Sequence, residues 1–290
     1  MPAAATTTLS PIELLLKYDR PVPRYTSYPT AAAFTPAVQE EALRMQLAGP
    51  TTAPLSLYVH VPFCRHACWY CGCNRITTQL GSRVVEPYLA ALAKELELIS
   101  VAMPQRRRLA QLHWGGGTPN YLNADETRQL WQLIERHFDP EPDLEASIEV
   151  NPEFLSRDAA LQLRALGFNR ISFGVQDLDA GVQEAIGRLQ PLALVRAMCE
   201  QARAAGFEGL NVDIMYGLPR QTRASMAQTI MHVLDLQPDR VACFGYAHVP
   251  WMRPHQRAIR DAELPAARER FAQFAMAVGL FDSAGYRWIG

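Results

Sequence analysis

The chain has 290 residues, 49% of them hydrophobic and 20% charged, with a formal net charge of −1. This length can bury a large core in one α/β domain, and the near-neutral charge gives no support for binding nucleic acid or an acidic membrane through bulk electrostatics. No apolar run reaches the roughly 18 to 20 residues that cross a bilayer, and the start, Met1-Pro-Ala-Ala-Ala-Thr, lacks the basic region and apolar stretch of a secretory signal.

Residues 1–54 are expected to form an N-terminal arm. Within it, residues 11–17 read as a short helix, with Pro11 in the first turn and Leu14, Leu15 and Leu16 supplying apolar surface. Arg24-Tyr-Thr-Ser-Tyr-Pro-Thr30 lies among Pro21, Pro23 and Pro36 and reads as extended. Its Tyr25 and Tyr28 suit either a solvated arm or docking onto a site.

From residue 55 the pattern becomes regular, and residues 55–290 are expected to form one partial barrel. Strands are expected at 55–61, 109–114, 145–150, 170–175, 210–216 and 240–246. Helices are expected at 86–101, 124–138, 157–166, 191–205, 223–236 and 266–284. Strands alternating with helices predict a parallel sheet with right-handed crossovers. Six such units predict an incomplete (β/α)6-type barrel, with an open doubly wound sheet as the alternative. Either fold collects chemistry at the C-terminal ends of its strands. The cysteine loop, Gly115-Gly116-Gly117-Thr118, Glu149, Gln176, Asp213 and His248 all fall there. The last run, Tyr286-Arg-Trp-Ile-Gly290, reads as the start of a seventh strand, and the chain as a fragment of a longer protein.

Four of the six cysteines fall within Cys64-Arg-His-Ala-Cys68-Trp-Tyr-Cys71-Gly-Cys73. Clustered thiols without a secretory signal read as metal-binding or catalytic, in a reducing cytoplasm. Structural zinc sites usually draw on two ligand pairs a dozen or more residues apart, whereas here every thiol lies in one loop. Cys71 and Cys73 are close for two ligands on one ion. Cys64, Cys68 and Cys71 suit an iron–sulfur cube with one iron open to substrate or cosubstrate, while a zinc-binding interaction module is the reading of another class. Phe63, Trp69 and Tyr70 either shield such a centre or simply pack, and His60 suits an interior histidine. Gly115-Gly116-Gly117 allows close approach of backbone to a ligand, without dinucleotide or P-loop spacing. Glu149 and Asp213 interrupt apolar strands, so each needs a partner, either a ligand or an internal arginine such as Arg170 or Arg188. Cys199 and Cys243 read as buried thiols.

The loop resembles the C-x-x-x-C-x-x-C signature of the radical S-adenosylmethionine (SAM) superfamily. More closely, the chain is similar to the oxygen-independent coproporphyrinogen III oxidase (coproporphyrinogen dehydrogenase) family. The match includes Arg24-Tyr-Thr-Ser-Tyr-Pro-Thr30, Cys71-Gly-Cys73-Asn, His113-Trp-Gly-Gly-Gly-Thr-Pro119, Ser172-Phe-Gly-Val-Gln-Asp177, Asn211-Val-Asp-Ile-Met-Tyr-Gly-Leu-Pro219 and Tyr246-Ala-His248. The resemblance implies a radical SAM barrel in which Cys64, Cys68 and Cys71 bind a 4Fe–4S cluster. It implies that Tyr58, Gly116 and Glu149 contact one SAM. A second SAM would meet Tyr70, Gly117, Thr118, Gln176, Arg188, Asp213 and Ala247. Cys73 matches a further cysteine needed for activity without ligating the cluster, and residues 24–30 an arm that closes on the site.

The implied reaction starts with an electron from an external donor such as flavodoxin. Reductive cleavage of SAM then gives a deoxyadenosyl radical that takes hydrogen from a propionate of coproporphyrinogen III. Loss of CO₂ and an electron leaves a vinyl group, twice over, giving protoporphyrinogen IX for haem synthesis. The family implies a monomer and continues beyond residue 290 with a helical domain, so residues 1–290 alone are expected to turn over poorly. A haem chaperone of the same superfamily is the nearest alternative; it typically lacks the fourth cysteine and the Arg-Tyr-Thr arm.

Overall fold

The computed structural model describes residues 10–18, 33–49 and 51–289. The arm segment expected at 24–30 lies outside the described residues. Two short helices, α1 (Pro11–Tyr18) and α2 (Glu40–Leu47), precede the sheet. There follow β1 (Leu55–Val61), β2 (Phe63–Cys64), β3 (Ile76–Thr77), α3 (Ser82–Ala102), β4 (Arg107–Gly116), α4 (Ala124–His137), β5 (Phe138–Val150) and α5 (Arg157–Leu166). The chain continues through β6 (Arg170–Gln176), α6 (Ala180–Ile186), α7 (Leu192–Ala204), β7 (Gly209–Tyr216), α8 (Arg223–Asp235), β8 (Arg240–Gly245) and α9 (Ala267–Ser283).

Local chemistry sets many of these bounds. Asn123 and Glu126 form a reciprocal capping box at the start of α4, while Ser156, Asp179 and Thr222 cap α5, α6 and α8. Gly167 and Gly187, at φ 121° and 65°, end α5 and α6 in a region that favours glycine.

Six strands pair in the order β1-β4-β5-β6-β7-β8, all parallel. The order never reverses, so each crossover steps to the next neighbour on the same side. That topology is a barrel's, and it excludes the doubly wound alternative, whose order reverses at a switch point. Among the described residues β1 and β8 do not pair with each other, so the sheet is a curled half-barrel.

Alternation along the strands sorts the two faces. Val59, Val61, Leu112, Trp114, Ala146, Ile148, Ile171, Phe173, Leu210, Val212 and Ile214 are buried toward the helices and share one core with residues of α3, α4, α5, α7 and α8. No helix among the described residues is long and apolar enough to cross a membrane.

Three expectations shift. β5 starts seven residues before its expected start, because a register irregularity between Leu109 and Gln111 takes up residues 141–144, Pro142 among them, and lets pairing resume. α2 and α6 were not expected, and both are short. Residues 286–289 make no ladder; instead the Tyr286 hydroxyl donates to the Pro238 carbonyl, just before the start of β8.

Candidate functional site

The strand residues that alternate with the buried rows carry the polar side chains. Register aligns Tyr58 with His113 and His113 with Ser147. It also aligns Glu149 with Ser172, Ser172 with Asn211, and Gly174 with Asp213. Closed (β/α) barrels usually fill this face with bulky aliphatics. Here it is a polar trough, which disfavours a packed interior and favours a bound polar ligand.

The trough is internally wired. Tyr58 stacks on the His113 ring at 5.7 Å and 15°, and its hydroxyl lies 3.1 Å from His60 Nδ1. His113 Nε2 lies 3.1 Å from Glu149 Oε1, while its Nδ1 meets the Ser147 hydroxyl. The carboxylate can only accept, so Nε2 carries a proton. Glu149 Oε2 accepts the Gly116 amide at 3.2 Å. Asp213 accepts from Asn211 Nδ2 at 2.7 Å and sits 3.4 Å from the Ser172 hydroxyl. Burial, reinforced by the nearby Glu149 charge, pushes the Asp213 carboxyl up to about 6. Neither arginine suggested by sequence pairs with these acids: Arg170 bridges to Glu145 at 2.8 Å, and Arg188 points to the cysteine loop.

That loop leaves β1 and is gripped at its base. The Ile76 amide donates to the Pro62 carbonyl at 2.7 Å and the Thr78 amide to that of Cys64 at 2.9 Å, which forms the β2–β3 ladder. The Trp69 amide donates to the Ile186 carbonyl at 2.9 Å, tying the loop to the end of α6. Arg65 lies over the Phe154 ring at 5.0 Å and the Tyr121 ring at 5.5 Å. Phe63 is buried against Tyr88 and Tyr121, and Tyr70 packs on Val182, Ile186, Met215 and Leu218. For these two aromatics packing is therefore the observed role. Trp69 is partly exposed.

Each of the first three thiols has its own polar partner, two from outside the loop and one from within it. Thr118 Oγ1 lies 3.3 Å from Cys64 Sγ. Arg188 Nη1 donates to Cys68 Sγ at 3.4 Å and its Nη2 to the Gly174 carbonyl at 2.7 Å. The Cys73 amide donates to Cys71 Sγ at 3.4 Å. Hydrogen bonds from the Cys73 side chain and amide lower the Cys71 thiol well below its ordinary range. The same Cys71 contact raises Cys73. The two shifts run in opposite directions because the contact favours negative charge on Cys71 over Cys73. Among the described residues no group of three or more His, Cys, Asp and Glu is placed to share a single metal ion. An iron–sulfur cube makes a different demand, one thiolate on each of three irons, with hydrogen bonds to the sulfurs, and this donor set fits that demand.

The glycine run has its reason inside the protein. A Cβ on Gly115 would lie 2.8 Å from Glu149 Oε1, one on Gly116 2.7 Å from the His60 ring, and one on Gly117 2.6 Å from the Pro62 carbonyl oxygen. The Gly117 amide also donates to Val61 at 2.8 Å. These glycines therefore let β4 pass under the root of the cysteine loop. Gly117→Ala is expected to cost about 1–3 kcal/mol of stability through backbone displacement, read as a lower denaturant midpoint at unchanged slope.

Other expected residues arrive in varied settings. Gln176 is buried at the end of β6 with a positive φ of 70°, a conformation uncommon outside glycine. Ala247 is exposed, and its carbonyl accepts from Gln256 at 3.2 Å. His248 is occupied by the Tyr246 hydroxyl at 2.8 Å and Asp261 at 3.0 Å. Sequence reasoning quoted His113, Ser172 and Asn211 only as parts of matched motifs and gave them no role at the site; the signal for one was their alternation with buried strand residues. It also missed Arg253, His255 and Gln256, which contact the cysteine loop across some 180 intervening positions and carry no local pattern.

Comparison with known proteins places these features in context. Residues 58–233 match the family model described as the radical SAM superfamily. The chain is 43% identical over 282 residues to the oxygen-independent coproporphyrinogen III oxidase of Synechocystis sp., covering 96% of this chain and 60% of the relative. It is 41% identical over 279 residues to the Escherichia coli enzyme of that name, covering 96% and 61%. The solved structure of Escherichia coli coproporphyrinogen III oxidase (HemN), described as a radical SAM enzyme, superposes with a TM-score of 0.88 at 41% identity, covering 96% of this chain and 62% of that one. The chain therefore spans about three fifths of the length of the curated relatives it matches.

Proposed function

Because this chain belongs to the radical SAM superfamily, we propose that it serves oxygen-independent oxidation of coproporphyrinogen III, converting two propionate side chains to vinyl groups. The observation that carries this reading is the set of three thiols, each with a separate polar partner, at the mouth of a polar trough. Identity above 40% to two enzymes of that activity supports the substrate.

Membership implies a 4Fe–4S cluster and SAM. When bound, these groups supply a deoxyadenosyl radical. Cys64, Cys68 and Cys71 would hold the cluster, with Cys73 kept off it. Tyr58, Gly116 and Glu149 would line one SAM. Tyr70, Gly117, Thr118, Gln176, Arg188, Asp213 and Ala247 would line a second. Glu149 and Asp213 offer carboxylate acceptors to amino or hydroxyl donors. The Arg188 guanidinium places positive charge against Cys68 Sγ. Each propionate loses a hydrogen atom from its β-carbon, then CO₂ and one electron. The chain's contribution is orientation of the reacting carbon in a site shielded from water. An external reductant of the flavodoxin class, a monomeric state and a cytoplasmic setting complete the proposal.

The test is anaerobic reconstitution with iron and sulfide, followed by assay of deoxyadenosine and vinyl products from coproporphyrinogen III. A cluster with SAM cleavage and vinyl formation supports the reading. Tight haem binding without vinyl product would move the chain to the chaperone branch. A colourless protein retaining zinc and no sulfide would make it a zinc module.

A further inference from the structure

The segment after β8 reaches back over the cysteine loop. A 3-10 turn, Pro254–Ala258, and the residue before it supply three side chains to three consecutive loop carbonyls. Gln256 Nε2 meets that of Tyr70 at 2.9 Å, His255 Nε2 that of Cys71 at 2.7 Å, and Arg253 Nε that of Gly72 at 3.0 Å. A carbonyl oxygen only accepts, so His255 carries a proton on Nε2. Gln256 is fully buried, and its Oε1 takes the Val249 amide at 2.6 Å, which fixes the end of the amide that faces the loop. β1 and β8 are opposite edges of the open sheet. These bonds therefore link the edges across the mouth where the cysteines lie.

The Gly72–Cys73 peptide is held from both sides. Its carbonyl accepts from Arg253, and its N–H donates to Cys71 Sγ at 3.4 Å. A peptide is planar, so its oxygen cannot turn away without also turning its N–H from the sulfur. A guanidinium on the oxygen polarises the unit and strengthens its N–H as a donor. Such bonds to a ligating thiolate offset the extra negative charge of a reduced cluster and raise its potential.

We propose that Arg253 is a positioning residue that sets the potential of the cluster through the Gly72–Cys73 peptide, with His255 and Gln256 fixing the same stretch of loop. This rests on reading Cys71 as a cluster ligand. The test is a redox titration of the anaerobically reconstituted 290-residue chain without SAM, followed by the electron paramagnetic resonance signal of the reduced cluster, with iron and sulfide content measured first. R253A is expected to keep its iron and sulfide and to titrate at a more negative potential than wild type. R253K, which returns a cationic donor, is expected to recover part of that shift. R253A with a full cluster at the wild-type potential, or R253K shifted as far as R253A, overturns the proposal. If R253A does not hold the cluster, R253Q decides: a negative shift supports the proposal and the wild-type potential overturns it. A wild-type chain that takes up no cluster overturns the functional reading itself, and the iron and sulfide measurement separates that failure from the others.

Discussion

Cys73→Ser is expected to keep the iron and sulfide of the reconstituted wild-type chain while losing most product formation; Cys64→Ser, Cys68→Ser and Cys71→Ser are each expected to lose essentially all of the cluster. The division rests on what surrounds each sulfur. Cys64, Cys68 and Cys71 have polar partners from Thr118, Arg188 and the Cys73 amide, whereas Cys73 is exposed and pushed away from ionisation by its contact with Cys71. A hydroxyl at position 73 can still donate toward Cys71 Sγ, and the Cys73 amide is untouched. Serine is therefore the informative replacement, while Cys73→Ala removes the side-chain donor and is expected to weaken the cluster as well. Iron and sulfide analysis with the absorption spectrum of each reconstituted variant checks the set. Loss of iron in Cys73→Ser would make Cys73 a ligand and undo the division.

The extent to which the sequence foretold this arrangement follows from where the information lies. β1 (Leu55–Val61) and α5 (Arg157–Leu166) sit at their expected bounds, because alternation in one and a Ser156 cap with a Gly167 stop in the other are local signals. α6 (Ala180–Ile186) was missed although Asp179 caps it and Gly187 ends it; its seven residues are too few to show a period. The count of six units pointed to the partial barrel, and the strand order bears that out; the order itself was not legible, since a doubly wound sheet shares the same alternation of elements. That Glu149 needs a partner was legible, but that His113 and the Gly116 amide supply it was not. His113 lies 36 positions away and meets it at 3.1 Å only because β4 and β5 are neighbours in register. The Arg253-His255-Gln256 contacts lie furthest from what sequence can show, because they depend on the half-barrel curling until its two edges approach.

Asp213→Asn is expected to make the ligand-free chain more stable at pH 8 by on the order of 2–3 kcal/mol, with the gain vanishing near pH 4. Burial and the Glu149 charge raise the Asp213 carboxyl from 3.8 to about 6, against partial relief from Asn211, Ser172 and His113. Each unit of such a shift corresponds to about 1.4 kcal/mol. The sign follows from proton linkage. Between pH 4 and 6 the folded chain holds a proton on Asp213 that the unfolded chain has released, so raising the pH through this window favours unfolding. Below it both states are protonated and the penalty is absent; above it the folded state carries a charge with incomplete compensation. Other carboxylates bend the absolute curves, so the measurement is the difference between the two proteins' unfolding free energies from pH 4 to 8. A flat difference would show that Asp213 is solvated in the folded chain. The penalty also has a use. A cationic or hydroxyl-bearing ligand beside Asp213 would supply the partner the fold withholds, and ligand binding to the native state raises apparent stability. Saturating SAM is therefore expected to raise the melting temperature of the reconstituted wild-type protein more than that of Asp213→Asn. Equal shifts in the two proteins would remove Asp213 from the SAM contacts.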